Sequence, residues 1–480
     1  MEEHVSREPV RSRSAGWVDE VLLAGDDKQA CFWFGRPVDR GALNDLVADK
    51  QRELSAAGLA AGGTVSLRLP PSLGYVAALL AAWRIGAQVS LLDHRLTQYE
   101  VDRALQRLTP QVLVQVADAD AAQAPQVPMS AMRGYAEIET VATARDDGQP
   151  AASEHALVQL SSGSTGPSKV IARTAADLRA ELGRYARLDG YPRRGDRIVC
   201  LASVVHVLGL VGGLLHSLHA GVQLVFADRL TSDGILTAVA TGDRPTMILG
   251  VPFHAELLAS ATKPRSLPQL VRMVVAGELV RPHVPGAFTA RYGVPLGTMY
   301  GMTELGVIAT DLHGLTWPAV TPAPGMELRV VDGELQVRMA ASPYIGLIDP
   351  TRWADGWLHT RDAAAAGPEG GQVTILGRLD SQVSIGGLKV DLTEVEQTLA
   401  ALPEVAGVIV AHDDGIHAYL VLHEGAGLAA VEDAVRTQLA AFKRPRHLHV
   451  VPSLPRTASG KIIRDRGALR LLADREPVIP

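Results

Sequence analysis

Only two cysteines, Cys31 and Cys200, occur in 480 residues, far apart and without CxxC or metal-ligand spacing. That excludes a disulfide framework and a cysteine-based metal cluster, and it points to two buried apolar thiols in a reducing cytoplasm. Long basic runs are also missing: the basic residues are scattered and the formal net charge is −6, which excludes a general nucleic-acid binder. The opening MEEHVSREPVRSRSAGWVDE has no apolar h-region, so it reads as a partly disordered lead-in rather than a secretory signal. The longest uncharged run, Ile198 to Ala227, has the length of a membrane span. It contains His206, His216, His219, Gln223 and several glycines, which divide it into the strand, turn, helix and strand of a buried βαβ unit. No repeat of solenoid period is present.

What is present is an alternation of elements in a chain long enough for at least two domains. Apolar strand-like runs at Val65–Leu69, Ala87–Leu92, Val112–Val116, Ile198–Leu201 and Val222–Phe226 alternate with helical patterns at Val76–Ile85 and Tyr99–Leu108. This is the pattern of an α/β fold with parallel sheets. Beyond Gly314 the texture changes: Met326–Val331 and Glu334–Met339 flank Asp332-Gly333, a hairpin signal, and announce a small β-rich section. After Asp380 the pattern predicts a helix at Leu392–Leu402, strands at Val405–Ala411 and Ile416–Leu422, a helix at Leu428–Leu439 and a strand at His447–Val451. About a hundred residues are enough there for a small α+β domain.

The densest local signal is Ser161-Ser162-Gly163-Ser164-Thr165-Gly166-Pro167-Ser168-Lys169, with hydroxyls, glycines and a lysine where a strand should end. Glycine permits close backbone approach, and N–H and hydroxyl groups donate to anionic oxygens, so the loop suits phosphate. It is not a Walker loop, which needs Gly before the lysine and Ser or Thr after it; here Ser168 and Val170 stand there.

Four further segments follow in order: Tyr300-Gly301-Met302-Thr303-Glu304; Gly356-Trp357-Leu358-His359-Thr360-Arg361-Asp362; Gly377-Arg378-Leu379-Asp380 with Gly386-Gly387; and Pro455-Arg456-Thr457-Ala458-Ser459-Gly460-Lys461. With the loop they span most of the chain, and together they resemble the adenylate-forming superfamily of acyl- and aryl-CoA ligases, carrier-protein adenylation domains and luciferases. The resemblance implies a large ATP- and acid-binding domain, residues 1–379, and a small mobile lid, 380–480, with the active site in the crevice between them.

It also implies roles. Ser161, Ser162, Ser164, Thr165 and Lys169 would hold the β- and γ-phosphates of ATP, with Val170 where relatives usually carry Gly. Tyr300 would stack on adenine, Thr303 meet the α-phosphate, and Glu304 help hold Mg²⁺, a hard ion that prefers oxygen ligands. Asp362 would accept both ribose hydroxyls, assisted by Arg378; Arg361 stands where Gly is common. Gly277 and Glu278 resemble the turn lining the adenine and acid pockets. Lys461 would bridge the acid's carboxylate and the α-phosphate, His206 would gate the acid or the thiol, Asp380 would be the hinge, and Gly386-Gly387 would face the incoming phosphopantetheine arm.

The activity so implied joins a small carboxylic acid to ATP as an acyl-adenylate, then passes the acyl group to CoA or to a carrier protein acting in trans. Amino-acid-activating relatives carry an Asp near the start of the segment equivalent to Leu201–Gly212, and none is present here, which favours aryl or small acyl acids. The same scaffold could deliver adenylates to an amine, activate nitrite, or persist as a non-catalytic nucleotide binder.

Overall fold

The computed structural model describes residues 16–117, 133–161, 169–261, 266–367, 371–379, 381–454 and 469. The chain divides into two compact units: one holds Met1–His94, Leu105–Gln159 and Val170–Gly377, the other Arg95–Ala104, Leu160–Lys169 and Arg378–Pro480. The first unit is α/β. A seven-stranded sheet has a parallel centre in which Thr64–Arg68 pairs with Gln88–Leu91 and Val112–Val116, and Gln88–Leu91 pairs with Leu157–Ser161. A second, larger sheet has a parallel run through Gln223–Val225, Arg197–Cys200, Thr246–Gly250, Leu270–Ala276 and Leu296–Met302. Its continuation is antiparallel, because Gly306–Asp311 turns straight back on Leu296–Met302 and the β-rich section joins that edge.

The helix Leu73–Ile85 shows how sequence sets one element. Ser72 caps it by accepting from the Tyr75 N–H, and Gly86 ends it at φ +86°. Every residue from Tyr75 to Trp83 is buried, which marks a helix enclosed on all sides. It belongs to one continuous apolar core that includes Val65 and Leu67 of the first sheet and Ile198 and Leu224 of the second. Each such Leu or Ile contributes roughly 1.5–3 kcal/mol by leaving water. The uncharged run folds as the expected βαβ unit: Arg197–Cys200, a π-helix Leu208–Leu215 running into His216–Ala220, then Gln223–Val225 parallel to the first strand. Among the described residues no helix is long and apolar enough to cross a membrane.

In the second unit, Val405–His412 and Ile416–Leu422 are antiparallel, and His447–Val450 runs parallel to the latter. The helices Leu392–Ala400 and Leu428–Gln438 pack on one face over Val408, Val410, Ile416, Ala418 and Leu420. The small unit is thus α+β. Asp332-Gly333 and Gly386-Gly387 each form a two-residue hairpin turn with both residues at positive φ, +50° and +78° in the first, +56° and +81° in the second.

Candidate active site

In an open α/β sheet, loops at the carboxyl ends of parallel strands converge and are free of the ladder, so they are where ligands bind. Five segments of this chain follow such strands in sequence. Asp93 follows Gln88–Leu91, the hydroxyl-rich loop follows Leu157–Ser161, and His206 follows Arg197–Cys200. Gly277 and Glu278 follow Leu270–Ala276, and Thr303-Glu304 follows Leu296–Met302. The last three strands run parallel within one sheet, so His206, Gly277 and Thr303 share one of its edges.

Thr303, Glu304 and Leu305 make the tight loop between the antiparallel strands Leu296–Met302 and Gly306–Asp311; no helix begins there. Gly301 has no room for a Cβ, which would lie 2.5 Å from the Gly306 carbonyl oxygen. Gly306 sits at φ +80°, and a Cβ there would meet the Glu181 carboxylate. Glu181 itself is fully buried, accepts from the Val307 N–H at 3.1 Å and pairs with Arg173 at 2.6 Å. Arg184 donates to the Leu305 carbonyl at 2.6 Å. Burial pulls the Arg184 guanidinium below its ordinary value, with Glu181 opposing. The loop carrying Thr303 and Glu304 is therefore held from beneath by three charged residues of one neighbouring strand and helix. Glu304 is oriented from above, its Oε1 accepting from the buried Tyr344 hydroxyl at 2.9 Å.

Tyr300 donates to Asp362 Oδ2 at 2.5 Å, which joins two of the candidate motifs directly. Asp362 is buried, and its N–H donates to Thr360 Oγ1, whose hydroxyl donates in turn to the Leu335 carbonyl. The cause of its placement is a bulge: Gln336 pairs with His359 but Glu334 pairs with Ala363, so the strand Trp357–Ala366 carries extra residues between them. Arg361 lies in that bulge at φ +61°, in the left-handed region that favours glycine. Glu334 holds the bulge by accepting from the Arg361 N–H at 2.9 Å and contacting His359 Nδ1 at 3.1 Å.

His206 is not a core histidine. Its side chain is 44% exposed and its Nε2 lies 3.5 Å from Oδ2 of the buried Asp93. The backbone around it is fixed: the Tyr75 hydroxyl donates to the Val204 carbonyl and the Gln159 amide to the Val205 carbonyl, both at 2.8 Å. Gly209 closes the turn where a Cβ would lie 2.4 Å from the Ser203 carbonyl oxygen. The contrast is His216, buried and bonded through Nε2 to the Pro192 carbonyl at 2.8 Å, whose pKa burial pulls down to about 4.

Of the remaining candidates, Ser161 ends one strand and Lys169 begins the neighbouring one, while Ser162, Ser164 and Thr165 lie outside the described residues. Gly277 sits at φ +96°. Arg378 is the last residue of the strand Val373–Arg378. Asp380 and Lys461 lie outside the described residues. The residue after Asp380 is anchored: Ser381 donates to the buried Asp391, which also accepts from the Thr393 N–H to cap the helix Leu392–Ala400. The motifs alone did not single out Glu181, Arg173, Arg184, Asp93 or Tyr344. Glu181 had a readable signal, since it shares the apolar face of the helix Ala175–Arg187 with Leu178, Leu182 and Tyr185, and an acid in that position requires a partner.

Family models match two stretches: the AMP-binding enzyme model at residues 25–341 and the AMP-binding enzyme C-terminal domain model at residues 394–461. The chain is 29% identical over 501 aligned residues to a p-hydroxybenzoic acid–AMP ligase, FadD22, of Mycobacterium tuberculosis, covering 98% of this chain and 68% of that one. It is 28% identical to a 4-hydroxybenzoate–CoA/benzoate–CoA ligase of Rhodopseudomonas palustris, covering 95% and 94%. In fold it is similar to o-succinylbenzoate CoA synthetase of Bacillus subtilis, with a TM-score of 0.79 at 23% identity over 96% and 98% of the two chains. With both models matched in order and the large α/β and small α+β units in place, this chain belongs to the AMP-binding enzymes of the adenylate-forming superfamily.

Proposed function

We propose that this enzyme activates a small aryl or acyl carboxylic acid with ATP, releasing pyrophosphate, and passes the acyl group of the adenylate to the thiol of CoA or of a carrier protein. The observation that carries the reading is the 2.5 Å Tyr300–Asp362 bond, with the Thr303-Glu304 loop beginning three residues beyond Tyr300. A nucleotide placed there finds an aromatic ring and a buried carboxylate for the ribose hydroxyls on one side and a hydroxyl and a carboxylate for the phosphate end on the other.

Attack of the carboxylate oxygen on the α-phosphorus forms one P–O bond as the bond to pyrophosphate breaks, which builds charge on the phosphoryl oxygens and on the leaving pyrophosphate, and donors fixed in advance lower that barrier. In the proposal Lys169 and the hydroxyls of Ser161, Ser162, Ser164 and Thr165 take the β- and γ-phosphates, and Lys461 takes the reacting carboxylate and α-phosphate. Thr303 donates to the α-phosphate. The oxygen donors of Glu304 and Thr303 fit Mg²⁺, which takes few protein carboxylates and completes its shell with water and phosphate; bound there, it would neutralise phosphate charge. Tyr344 fixes one Glu304 oxygen, which orients the carboxylate without using its second oxygen.

For the acid, His206 stands half-exposed at a strand end beside Asp93, and Leu201–Gly212 holds no acidic residue to pair with an α-ammonium. Hydroxybenzoate and benzoate in the names of the relatives agree with an aryl acid. The proposed hinge is Asp380 and the proposed thiol-facing turn is Gly386-Gly387. The test is pyrophosphate release with ATP and Mg²⁺ across aryl, short acyl, fatty and amino acids, each with and without CoA. Acid-dependent pyrophosphate and AMP are expected, strongest with aryl acids. ADP and phosphate as products would sink the reading.

A further inference from the structure

Three of the fifteen histidines meet on one corner of the small unit. The parallel register puts His417 opposite His447 and Tyr419 opposite His449. Side chains alternate along a strand, and Ile416, Ala418 and Leu420 take the face under the helices. His417, Tyr419, His447 and His449 therefore share the other face. Asp414, in the turn before the strand, reaches the same corner with Oδ1 2.8 Å from His417 Nε2. The His417 and His447 rings lie 4.7 Å apart, and one ligand atom from each of Asp414, His417 and His447 lies within 4.8 Å of the others.

From this geometry we infer that Asp414, His417 and His447 form a binding site for a divalent transition metal of the zinc type. Tetrahedral zinc with bonds of about 2.0–2.2 Å needs donors roughly 3.3–3.6 Å apart. The Asp414–His417 spacing of 2.8 Å has to open slightly and all three atoms lie within 4.8 Å of one another, and Asp414 and His447 are exposed and can adjust. Two imidazoles and a carboxylate suit zinc, nickel or copper rather than magnesium.

His449 supplies the independent support. Its Nε2 lies 3.0 Å from His417 Nδ1 while its ring stacks on Tyr419 at 4.8 Å. As the chain stands, His417 Nε2–H donates to Asp414; a cation that displaces this proton would leave His417 to donate Nδ1–H to His449 and to offer the Nε2 lone pair to the metal. Fixing the ligand's tautomer through its second nitrogen is the outer-shell arrangement typical of metal-binding histidines. A proton shared by His417 and Asp414 competes for the same position as the cation, and Arg446 lies 3.7 Å from Asp414 Oδ2. Both weaken binding, so the site belongs in the micromolar rather than the nanomolar range.

The test is calorimetric titration of the full, tag-free and chelator-treated chain with zinc sulfate at neutral pH, repeated in excess magnesium. A single micromolar site that magnesium leaves unchanged is expected. His417→Ala with His447→Ala should abolish it, and Asp414→Asn and His449→Ala should each weaken it about 10-fold or more, with circular dichroism confirming the fold. Asp414 lies in an exposed turn, so its variant keeps the test valid if the double variant misfolds. Absence of zinc binding, zinc binding unchanged in Asp414→Asn, or displacement by magnesium would each overturn the site.

Discussion

Arg173 and Glu181 form an ion pair of 2.6 Å with side chains 3% and 0% exposed, beneath the hairpin loop of Thr303 and Glu304. Breaking a buried pair from one side leaves an uncompensated charge, at a cost of about 3–5 kcal/mol. Glu181→Ala should therefore lower the denaturation midpoint strongly, and the surviving fold should show impaired nucleotide binding because the Val307 N–H at the base of the loop loses its acceptor. Chemical denaturation followed by ATP titration checks both parts. A midpoint equal to that of the unmodified chain would show that the pair does not hold the loop.

Arg361 permits a test in the opposite direction. A non-glycine residue in the left-handed region costs roughly 1–2 kcal/mol, and its hydrogen bond to Glu334 is made by its backbone N–H, with the guanidinium in a looser, part-exposed ion pair at 3.9 Å. Arg361→Gly keeps that bond and relieves the strain, against roughly 0.4–1 kcal/mol of added unfolded-chain entropy. The variant should be as stable as the parent or slightly more so, whereas Arg361→Val should lose 1 kcal/mol or more, about the cost of a β-branched side chain at positive φ. Parallel thermal melts distinguish the two.

The two cases also show what the sequence discloses. Local periodicity placed Val112–Val116 and Ile416–Leu422 on their observed bounds, because alternation and turn residues act over a few neighbours. The hairpin at Asp332-Gly333 was legible for the same reason. The motifs located Tyr300 and Asp362, but their bond spans 62 residues of chain and depends on a bulge at Arg361 that no periodicity encodes. The Glu181–Val307 contact spans 126 residues. The antiparallel extension of the large sheet was hidden too, since strand direction is set by a three-residue loop at Thr303–Leu305.

Acid sensitivity follows from two buried histidines. Burial lowers His216 and His254 from 6.5 to about 4, and His254 Nδ1 accepts from the Val251 N–H, which requires the neutral ring. Between those pH values the unfolded chain binds more protons than the folded one, so this stability is full above about pH 6.5 and is lost as the pH falls toward 4. Each histidine contributes up to about 1.4 kcal/mol per pH unit across that window. Denaturation between pH 7 and pH 4 should show this slope, and His216→Phe should reduce it. An unchanged slope would place the acid sensitivity elsewhere.

A substitution at Lys461 tests whether the two half-reactions are separate. In the proposed mechanism it acts on the carboxylate and α-phosphate only during adenylation, so Lys461→Ala should cut acid-dependent pyrophosphate exchange by about 10²-fold or more. Thioester formation from a supplied acyl-adenylate should remain largely intact. Equal loss in both steps would contradict a lid that presents the lysine to one step alone.

His206 decides between a gate and a packing residue, and its surroundings favour the gate. Its side chain is 44% exposed, and the loop is held by the backbone contacts of Tyr75 and Gln159 rather than by the imidazole. Removing such a side chain should change stability by no more than about 0.5 kcal/mol. If the imidazole meets the substrate carboxylate or admits the thiol, His206→Ala should instead raise the KM for the acid or slow thioester formation about tenfold, the loss of roughly 1.4 kcal/mol of transition-state or substrate binding. Asp93, 3.5 Å away, would orient the ring. Asp93→Asn should therefore impair that same half-reaction while leaving the other unchanged. A fall in melting temperature without any kinetic split would return His206 to a structural role.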